Sequence, residues 1–460
     1  MYNPLRRGRP ALLPAAAQCI MKRINFQRGY CLKHKWMSPG RFIALGFGGL
    51  ILLGMLLLML PVSARPGVKI GPLEALFTST SAVCVTGLLV VDTADSFSVF
   101  GRTVIAILIQ IGGLGVASIG ISFFLLAGKS VGIRERVWVR ESLNLDTLEG
   151  IVRLVKSVLL ITFAFELLGT ALSYVEFSRH YEPLSALGIS AFHSIASFNN
   201  AGFDILGSFR SLGDYRGNVL LNLTTAGLVI FGGLGFYALR EIAIKRSFGG
   251  FSLNTKIVLM MTGVLLAAGT LLVKLTDSVS WLEAFFISAS ARTAGFATKS
   301  IDTFSSAGQF VIILLMFIGA SPGSTGGGTK TTTAFTLYRS ILSFATNKPA
   351  TVFHRQIPRE SVLRAFMVSL MGLALICLMT FLINIIDPQF SFLQILFEVV
   401  SGFGTVGLST GITPGLSSIS KLLLCVTMFT GRLGPLTMAC IWVYKPAAHV
   451  SYGEEPVTIG

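Results

Sequence analysis

The chain has 460 residues, of which 52% are hydrophobic and 13% are charged, and its formal net charge is +16. Soluble domains usually carry about 25% charged residues, so this composition excludes an ordinary soluble protein and predicts an integral membrane protein surrounded by lipid. The positive charge lies in clusters between long apolar segments rather than on one basic face, so no nucleic-acid partner is expected.

Apolar segments alternate with polar connections along the chain. A bilayer core of about 30 Å needs about 20 residues of apolar helix, and eight segments meet this length if interruptions by glycine are allowed. They are roughly 42–61, 99–127, 151–175, 218–240, 255–275, 308–346, 361–386 and 419–446. A basic tail, 1–41, precedes them and a second tail, 448–460, follows. Because basic connections alternate with acidic ones, the positive-inside rule predicts a plasma-membrane protein with both termini in the cytoplasm.

A shorter apolar segment stands between the two members of each pair of spans. The four read LEALFTSTSAVCVTGL, ISAFHSIASFNNAGF, LEAFFISASARTAGF and LFEVVSGFGTVGL. Aligned on their last glycines, they all have a phenylalanine ten residues earlier; the glycines are Gly87, Gly202, Gly295 and Gly407. The alignment predicts an all-α fold in which helix, re-entrant pore loop and helix recur four times around one central pore. The predicted repeats are 42–127, 150–240, 255–346 and 361–447.

We expect each re-entrant segment to be a half-length helix followed by an extended stretch whose carbonyl oxygens face a monovalent cation. The helices are predicted to end at Ser81, Ser197, Ser290 and Ser401. The predicted filter residues are Val83, Cys84, Val85, Thr86, Gly87, Phe198, Asn199, Asn200, Ala201, Gly202, Arg292, Thr293, Ala294, Gly295, Gly404, Thr405, Val406 and Gly407. Close helix packing through glycine is the alternative for any single segment. The acids expected to concentrate cations at the mouth are Asp92, Asp204 and Asp302.

The stretch GASPGSTGGGTK, which begins at Gly319, has the composition of a phosphate-binding loop. Gly323 and Gly328 have the separation that G-x-x-x-x-G-K-[ST] requires, but Thr329 occupies the lysine position and Lys330 comes one residue late. No alternation of strands and helices surrounds the stretch. Nucleotide binding is therefore not expected on this chain.

The same stretch aligns instead with glycine motifs in the other second helices. GGLG begins 25 residues after Gly87 and 30 after Gly202, GRLG begins 24 after Gly407, and Gly319 lies 24 after Gly295. One proline, which lacks a backbone donor, and several glycines, each destabilising a helix by about 1 kcal/mol relative to alanine, predict an interrupted membrane helix. Its ordered loop is expected to obstruct the pore as a gate. The alternative is a kinked helix without a gating role. The predicted gate loop, 319–329, comprises Gly319, Ala320, Ser321, Pro322, Gly323, Ser324, Thr325, Gly326, Gly327, Gly328 and Thr329, and Lys330 is expected to mark the cytoplasmic end of the helix.

Arg432 stands where the first two repeats have Gly113 and Gly233. An arginine within a bilayer costs at least about 2.5 kcal/mol, so it normally faces protein or water. We expect it either to donate hydrogen bonds to the gate-loop carbonyls or to form an electrostatic barrier below the filter. Snorkelling to the interface is the alternative.

Other polar residues in the apolar segments are assigned structural roles. Arg292 adjoins the third filter, and we expect its side chain to lie behind the pore helix and pair with Glu283 or Glu398, since a charge in the lumen would repel cations. His193 is expected to be a packed, hydrogen-bonded residue. The spans contain no paired carboxylates, metal cluster or nucleophile with its base, so no enzyme is predicted.

The chain resembles the Trk/Ktr/HKT superfamily of potassium transporters, specifically its Ktr-type membrane subunits, over residues 41–450. The resemblance rests on TSTSAVCVTGL, SFNNAGF, ARTAGF and FGTVGLS, together with IQIGGLG and ASPGSTGGG. It implies potassium as the substrate and one coordinating glycine in each repeat. Glycine at all four positions is the potassium-selective pattern of the family, whereas serine at the first position is typical of sodium-permeable members.

The resemblance also implies partners that the sequence itself does not contain. Ktr-type subunits form homodimers with one pore per chain and associate with a cytosolic nucleotide-binding ring of the RCK/KTN type that controls opening. The nucleotide would then be bound by the partner, with no cofactor in this chain, and sodium stays open as a coupling or activating ion. Two alternatives remain: a sodium-permeable cation transporter of the same architecture, and a secondary transporter for a small organic substrate, which more often has two inverted repeats.

Overall fold

The computed structural model describes residues 39–126, 132–142 and 150–442. The helices are α1 (Pro39–Leu58), α2 (Pro72–Cys84), α3 (Thr93–Ser96), α4 (Val99–Leu114), α5 (Val116–Leu126), α6 (Ile133–Ser142), α7 (Ile151–Phe177), α8 (Pro183–Phe198), α9 (Val219–Leu234), α10 (Phe236–Lys245), α11 (Leu253–Thr276), α12 (Trp281–Ser290), α13 (Ser306–Phe317), α14 (Thr331–Thr346), α15 (Arg359–Ile386), α16 (Phe392–Gly404), α17 (Ser418–Leu433) and α18 (Pro435–Trp442). Short 3-10 turns lie at Pro61–Ser63, Gly213–Tyr215, Phe248–Gly250, Ile301–Thr303 and Thr413–Gly415. The predicted tail 448–460, and residues 1–38 of the other tail, lie outside the described residues.

The fold is α-helical apart from one small hairpin among the described residues. Its strands, β1 (Thr351–Val352) and β2 (Arg355–Gln356), pair antiparallel in the connection before α15. The hairpin is the one departure from the predicted all-α class in these ranges.

One order of helices recurs four times along the described chain. A long helix (α1, α7, α11 or α15) is followed by a shorter apolar helix (α2, α8, α12 or α16) and then by a helix in two parts (α4–α5, α9–α10, α13–α14 or α17–α18). Each two-part helix also packs on the short helix of the next group: α4 on α8, α9 on α12, α13 on α16, and α17 back on α2. The packing is therefore a closed cycle.

Single glycines divide the second helix of the first, second and fourth groups. Gly115, Gly235 and Gly434 separate α4 from α5, α9 from α10 and α17 from α18, at φ of +82°, +90° and +86°. Only glycine adopts such angles without strain. The breaks thus fall at the last glycine of each GGLG or GRLG motif, three residues after the motif begins.

Three described helices are long and apolar enough to cross a membrane: Gly40–Leu58, Leu253–Thr276 and Arg359–Ile386. The pair α9 and α10, bent by 97°, adds a fourth span if its two halves are counted together. The other predicted spans are not single continuous apolar helices by this measure, because breaks divide several of them.

A glycine on the long helix allows the three helices of a group to meet at one point. In the first group a Cβ atom at Gly54 would collide with Ser79 Oγ and would lie 2.7 Å from a methyl carbon of Leu108. Ser79 Oγ in turn donates a hydrogen bond to the Ile51 carbonyl, at 2.7 Å. The same glycine, serine and leucine contacts occur at Gly169, Ser194 and Leu228 and at Gly269, Ser288 and Leu315. These contacts seat the short helices and so position the segments that follow them.

Candidate functional site

The short helices end at Cys84, Phe198, Ser290 and Gly404, so three of them continue past the serine predicted to end them. Four predicted filter residues are consequently helical, and the extended stretches are shorter than expected; these residues are Val83, Cys84, Phe198 and Gly404. Two of these serines act as caps instead. Ser81 Oγ accepts a hydrogen bond from Gly87 N–H at 3.0 Å, and Ser401 Oγ accepts one from Gly407 N–H at 3.1 Å.

After each short helix, a single non-glycine residue has a left-handed backbone conformation. It always lies two residues before the filter glycine. Val85, Asn200, Thr293 and Thr405 have φ of +58°, +57°, +93° and +50°. Positive φ is rare outside glycine and is a genuine outlier for a β-branched residue. Backbone strain of this kind persists only where the surrounding structure imposes it, and it clusters at functional sites. Because the strained conformation recurs at the same position in all four segments, it is a specific feature of this fold.

The four aligned glycines form a closed ring. A Cβ atom at Gly87 would lie 3.0 Å from the Cα of Gly202, and one at Gly202 would lie 3.0 Å from the Cα of Gly295. A Cβ atom at Gly295 would lie 3.1 Å from the Cα of Gly407, and one at Gly407 would lie 2.9 Å from the Cα of Gly87. All four have φ between +67° and +92°. No other residue type fits this approach of four backbones without a shift of the structure.

The carbonyl oxygens next to this ring are free to bind a cation. They belong to the residues before the glycines, Thr86, Ala201, Ala294 and Val406, and they are the atoms that an added Cβ would strike. The amides of the same residues donate back to their helices, for example Thr86 N–H to Ser81 O at 2.8 Å. No donor to these four carbonyls occurs in the part of the chain that the structure describes. Rings of free carbonyls replace the hydration shell of a monovalent cation. The four short helices end within a few residues of the ring glycines, so their negative C-terminal ends add to the attraction.

The third two-part helix is interrupted as predicted. α13 ends at Phe317 and α14 begins at Thr331, and the residues between them run irregularly beneath the filter. Ser321 N–H donates to Gly233 O at 3.0 Å on α9, and Gly328 N–H donates to Gly431 O at 3.3 Å on α17. The predicted gate loop is therefore bound to the second and fourth groups.

The gate loop also contacts the filter turns from below. Gly327 N–H donates to Thr405 Oγ1 at 2.8 Å. A Cβ atom at Gly326 would collide with Thr293 Oγ1, and Thr293 Oγ1 lies 2.9 Å from the side-chain amide of Asn200. Two of the four left-handed turns thus touch adjacent glycines of the loop.

Arg432 makes the first of the two kinds of contact predicted for it. Its guanidinium donates to the Thr325 carbonyl in the gate loop. It also donates to the carbonyls of Gly112 and Gly113, the latter at 3.2 Å, in the last turn of α4. Arg432 therefore caps a helix of the first group and holds the loop at the same time, and it does not snorkel to the interface.

Lys330 does not mark the end of the interrupted helix, and that expectation is wrong. It precedes α14 as its N-cap residue. Its Nζ donates to Gly326 O at 2.7 Å and to Gly327 O at 3.2 Å. The amine folds back because the irregular loop leaves these carbonyls without helical partners, and an ammonium group is a strong donor for them.

Arg292 lies behind the third short helix as expected, but it pairs with neither predicted acid. Its Nη2 is 3.4 Å from Thr262 Oγ1 on α11. Glu283 forms an ion pair with Arg216 instead. Glu398 is turned toward the connection after the fourth filter. Arg292 therefore has a packing role, and its side chain is not a filter ligand.

Two of the three acids expected at the mouth are engaged in structure. Asp92 is buried, caps α3 and accepts a hydrogen bond from Phe209 N–H at 2.7 Å. Asp204 is also buried and accepts from Leu206 N–H at 3.1 Å. Asp302 alone of the three is exposed. The loops that follow the filters fold back over the first two carboxylates.

Two further carboxylates form hydrogen bonds in or next to the predicted filter segments, and neither role was predicted from the sequence. Glu398, inside α16, accepts from Ser409 Oγ at 2.7 Å and from Thr413 Oγ1 at 2.8 Å, just beyond the fourth filter. Glu166, inside α7, accepts from Asn199 Nδ2 at 3.0 Å, so Asn199 points away from the ring. The available signal was an acid within an apolar stretch of a helix, since such residues are costly in a membrane unless they have a function.

His193 is packed and hydrogen-bonded, as predicted. Its Nε2 lies 2.8 Å from Thr225 Oγ1 on α9, and the side chain is almost fully buried. It joins the second short helix to the helix behind it.

Comparison with known proteins agrees with this architecture. A family model described as "TrkH: Cation transport protein" matches residues 50–450. The Ktr system potassium uptake protein B of Bacillus subtilis is 37% identical over 451 residues, covering 95% of this chain and 100% of the relative. The potassium/sodium uptake protein NtpJ of Enterococcus hirae is 37% identical over 445 residues, covering 93% of this chain and 98% of the relative.

A solved structure gives the fold independently. The potassium transporter TrkH from Vibrio parahaemolyticus has a TM-score of 0.70 at 18% identity, with 89% of this chain and 86% of that chain covered. The fold class is thus an α-helical membrane protein, and the protein is a transporter rather than an enzyme. This multi-pass membrane protein belongs to the TrkH cation transport family.

Proposed function

We propose that this chain is the potassium-translocating subunit of a potassium uptake system. The observation that carries the proposal is the closed ring of Gly87, Gly202, Gly295 and Gly407, with four carbonyl oxygens beside it that have no donor among the described residues. Such a ring suits a dehydrated monovalent cation. The names of the relatives from Bacillus subtilis and Enterococcus hirae, both uptake proteins for potassium, support the choice of ion.

The proposed architecture has four tandem repeats around one central pore, with eight spans and both termini in the cytoplasm. The closed cycle of helix contacts supports it, because the two-part helix of each group packs on the short helix of the next. The proposed repeats keep the boundaries 42–127, 150–240, 255–346 and 361–447. Each short helix would then enter the membrane and return without crossing it.

The loop between α13 and α14 is the proposed gate. It lies under the filter and is held by Thr405, Arg432 and Lys330. Displacement of the loop would open the path below the ring. We further propose that the chain works as a homodimer and that a cytosolic nucleotide-binding ring controls the loop, since the relative from Bacillus subtilis is named as one protein of a Ktr system.

The second candidate is a cation transporter that also carries sodium. The name of the Enterococcus hirae relative, a potassium/sodium uptake protein, favours it. Sodium could then be a coupling ion or a second substrate. The two candidates differ in the competition that they predict between the ions.

Rubidium uptake into proteoliposomes that contain the purified chain tests the proposal. We expect external potassium to compete strongly and sodium weakly. Gly87→Ser should abolish this preference or the uptake itself, because its Cβ would lie 2.5 Å from the Ala201 carbonyl oxygen. Gly263→Ser is the matched control, since a Cβ atom at Gly263 on α11 meets nothing within 4 Å. Equal competition by both ions favours the second candidate, and no rubidium uptake by either the unsubstituted chain or the chain without Ser324–Gly327 refutes both.

The gate assignment has its own test. Deletion of Ser324–Gly327 removes the part of the loop that lies under Thr293 and Thr405. We expect faster rubidium uptake and loss of control by any regulatory partner. Unchanged flux would refute the gate.

A further inference from the structure

The left-handed turn of the fourth filter makes a direct hydrogen bond to the gate loop. Gly327 N–H donates to Thr405 Oγ1 at 2.8 Å, and both residues are buried. Thr405 is the residue at φ +50° that turns the chain out of α16 and into the filter. Its neighbour Val406 supplies the carbonyl that borders Gly295 in the ring. One residue therefore belongs both to the turn that shapes the filter and to the contact that holds the loop.

The residues around this hydrogen bond are closely packed. A Cβ atom at Gly327 would lie 2.5 Å from Thr405 Oγ1 and 3.1 Å from Gly431 O. The next amide, Gly328 N–H, donates to that same Gly431 carbonyl at 3.3 Å. The backbone of the loop at Gly327 and Gly328 is thus fixed between the filter turn and α17. Gly327 is needed because any side chain would push the loop away from the hydroxyl.

The other filter turns do not make this bond. Thr293 Oγ1 lies against Gly326 but is partnered by Asn200 across the second and third turns. The first turn has Val85, which carries no hydrogen-bonding group. Thr405 is accordingly the one filter turn, among the described residues, whose side chain accepts a hydrogen bond from the loop backbone.

We propose that Thr405 is a positioning residue that latches the gate loop to the filter. The inference rests on the proposed gate and deepens it. When the loop moves away, the Gly327 bond must break, so the state of the gate and the geometry of the fourth filter turn are coupled through one hydroxyl. Arg432 and Lys330 donate to carbonyls of the loop rather than accepting from its amides, and neither of these contacts involves the filter.

Thr405→Val tests the latch with little change of shape. Val85 shows that valine adopts the same left-handed turn in this chain, at φ +58°, so the backbone of the variant should be retained. Loss of one neutral hydrogen bond should raise rubidium uptake by the chain in proteoliposomes about fivefold, which corresponds to about 1 kcal/mol. Thr405→Ser keeps the hydroxyl and should restore the original rate.

A second readout follows the loop itself. In a background without the six native cysteines, a thiol reagent should label Ser324→Cys about fivefold faster when Thr405→Val is also present, as the same free energy requires. Thr78→Val is the matched control. It removes another buried threonine hydroxyl, on α2, that has no partner in the part of the chain that the structure describes. It should change neither rate.

The outcomes separate the latch from the gate. If deletion of Ser324–Gly327 speeds uptake but Thr405→Val changes neither uptake nor labelling, the latch is refuted and the gate stands. If Thr405→Val alters only the competition between potassium and sodium, Thr405 acts within the filter and the latch is again refuted. If the deletion has no effect on uptake, the gate itself fails.

Discussion

Removal of Arg432 should release the gate loop. The guanidinium holds the loop through the Thr325 carbonyl and is anchored at its other end on Gly112 and Gly113. A hydrogen bond from a charged group contributes about 1.5–3 kcal/mol. Of these bonds, only the one to Thr325 holds the loop, because the others join Arg432 to carbonyls of α4. Arg432→Ala should therefore shift the loop toward the open state by about 10-fold to about 150-fold.

The assay is the initial rate of rubidium uptake by proteoliposomes that contain the variant. Arg432→Lys should fall between alanine and the original residue, since lysine keeps the charge but cannot bridge two carbonyl groups with a planar fork. Arg210→Ala is the control, because Arg210 is an exposed arginine whose ion pair with Asp214 is also exposed. A rate for Arg432→Ala equal to that of Arg210→Ala would refute the reasoning, and a lower rate would show that the arginine assists conduction.

Three further predictions concern the ring, the loop and the connection above the filter. Gly202→Ala should lower rubidium uptake at least about 10-fold. Alanine at φ +67° costs about 1–2 kcal/mol in backbone strain, and its Cβ would in addition lie 2.7 Å from the Ala294 carbonyl oxygen. Uptake equal to that of the original chain would contradict the ring. Lys330→Met should raise uptake by about 10-fold or more, since it removes a charged donor from two loop carbonyls, and an unchanged rate would show that the amine does not hold the loop. Glu398→Gln should lower the thermal unfolding midpoint in detergent. One carboxylate oxygen that accepts from the Ser409 or Thr413 hydroxyl becomes an NH2 donor, at a cost of about 1–3 kcal/mol. An unchanged midpoint would show that the hydroxyls simply rotate.

The sequence predicted the positions that depend on spacing. The four glycines recur in aligned segments, so their convergence was expected from the repeat, and the ring confirms that they meet. The interruption after Phe317 was likewise expected, since several glycines and a proline in a short stretch cannot continue a helix. Periodicity and local chain stiffness are properties of the sequence itself.

The sequence could not predict which partners the buried polar groups would choose. Arg292 was paired with Glu283 or Glu398, but Glu283 lies against Arg216, from another group, and Glu398 is occupied by hydroxyls. Lys330 was read as a boundary charge because a cationic residue after an apolar helix normally meets water. In each case the hydrogen-bond partner of the charged group depends on which element packs beside it. That packing is determined by residues far apart along the chain.

The predicted ends of the short helices were wrong for a related reason. The sequence predicts that two of these helices end at Ser81 and Ser401. Their hydroxyls instead satisfy the amides of Gly87 and Gly407, so the helix gains a cap and extends by three residues, to Cys84 and Gly404. Whether a serine interrupts or caps depends on the fold of the next six residues.

The left-handed turn recurs with valine, asparagine and threonine in its successive copies, and this has a consequence for how the protein can evolve. A channel assembled from identical subunits repeats every substitution at all copies of a site. Here all four turns are encoded in one chain, so each can be altered alone. A loop can then settle against the one quadrant that carries the matching hydroxyl, while the backbone of all four quadrants is preserved. Encoded in this way, a nearly fourfold ring at the proposed ion site coexists with a one-sided contact to the proposed gate loop.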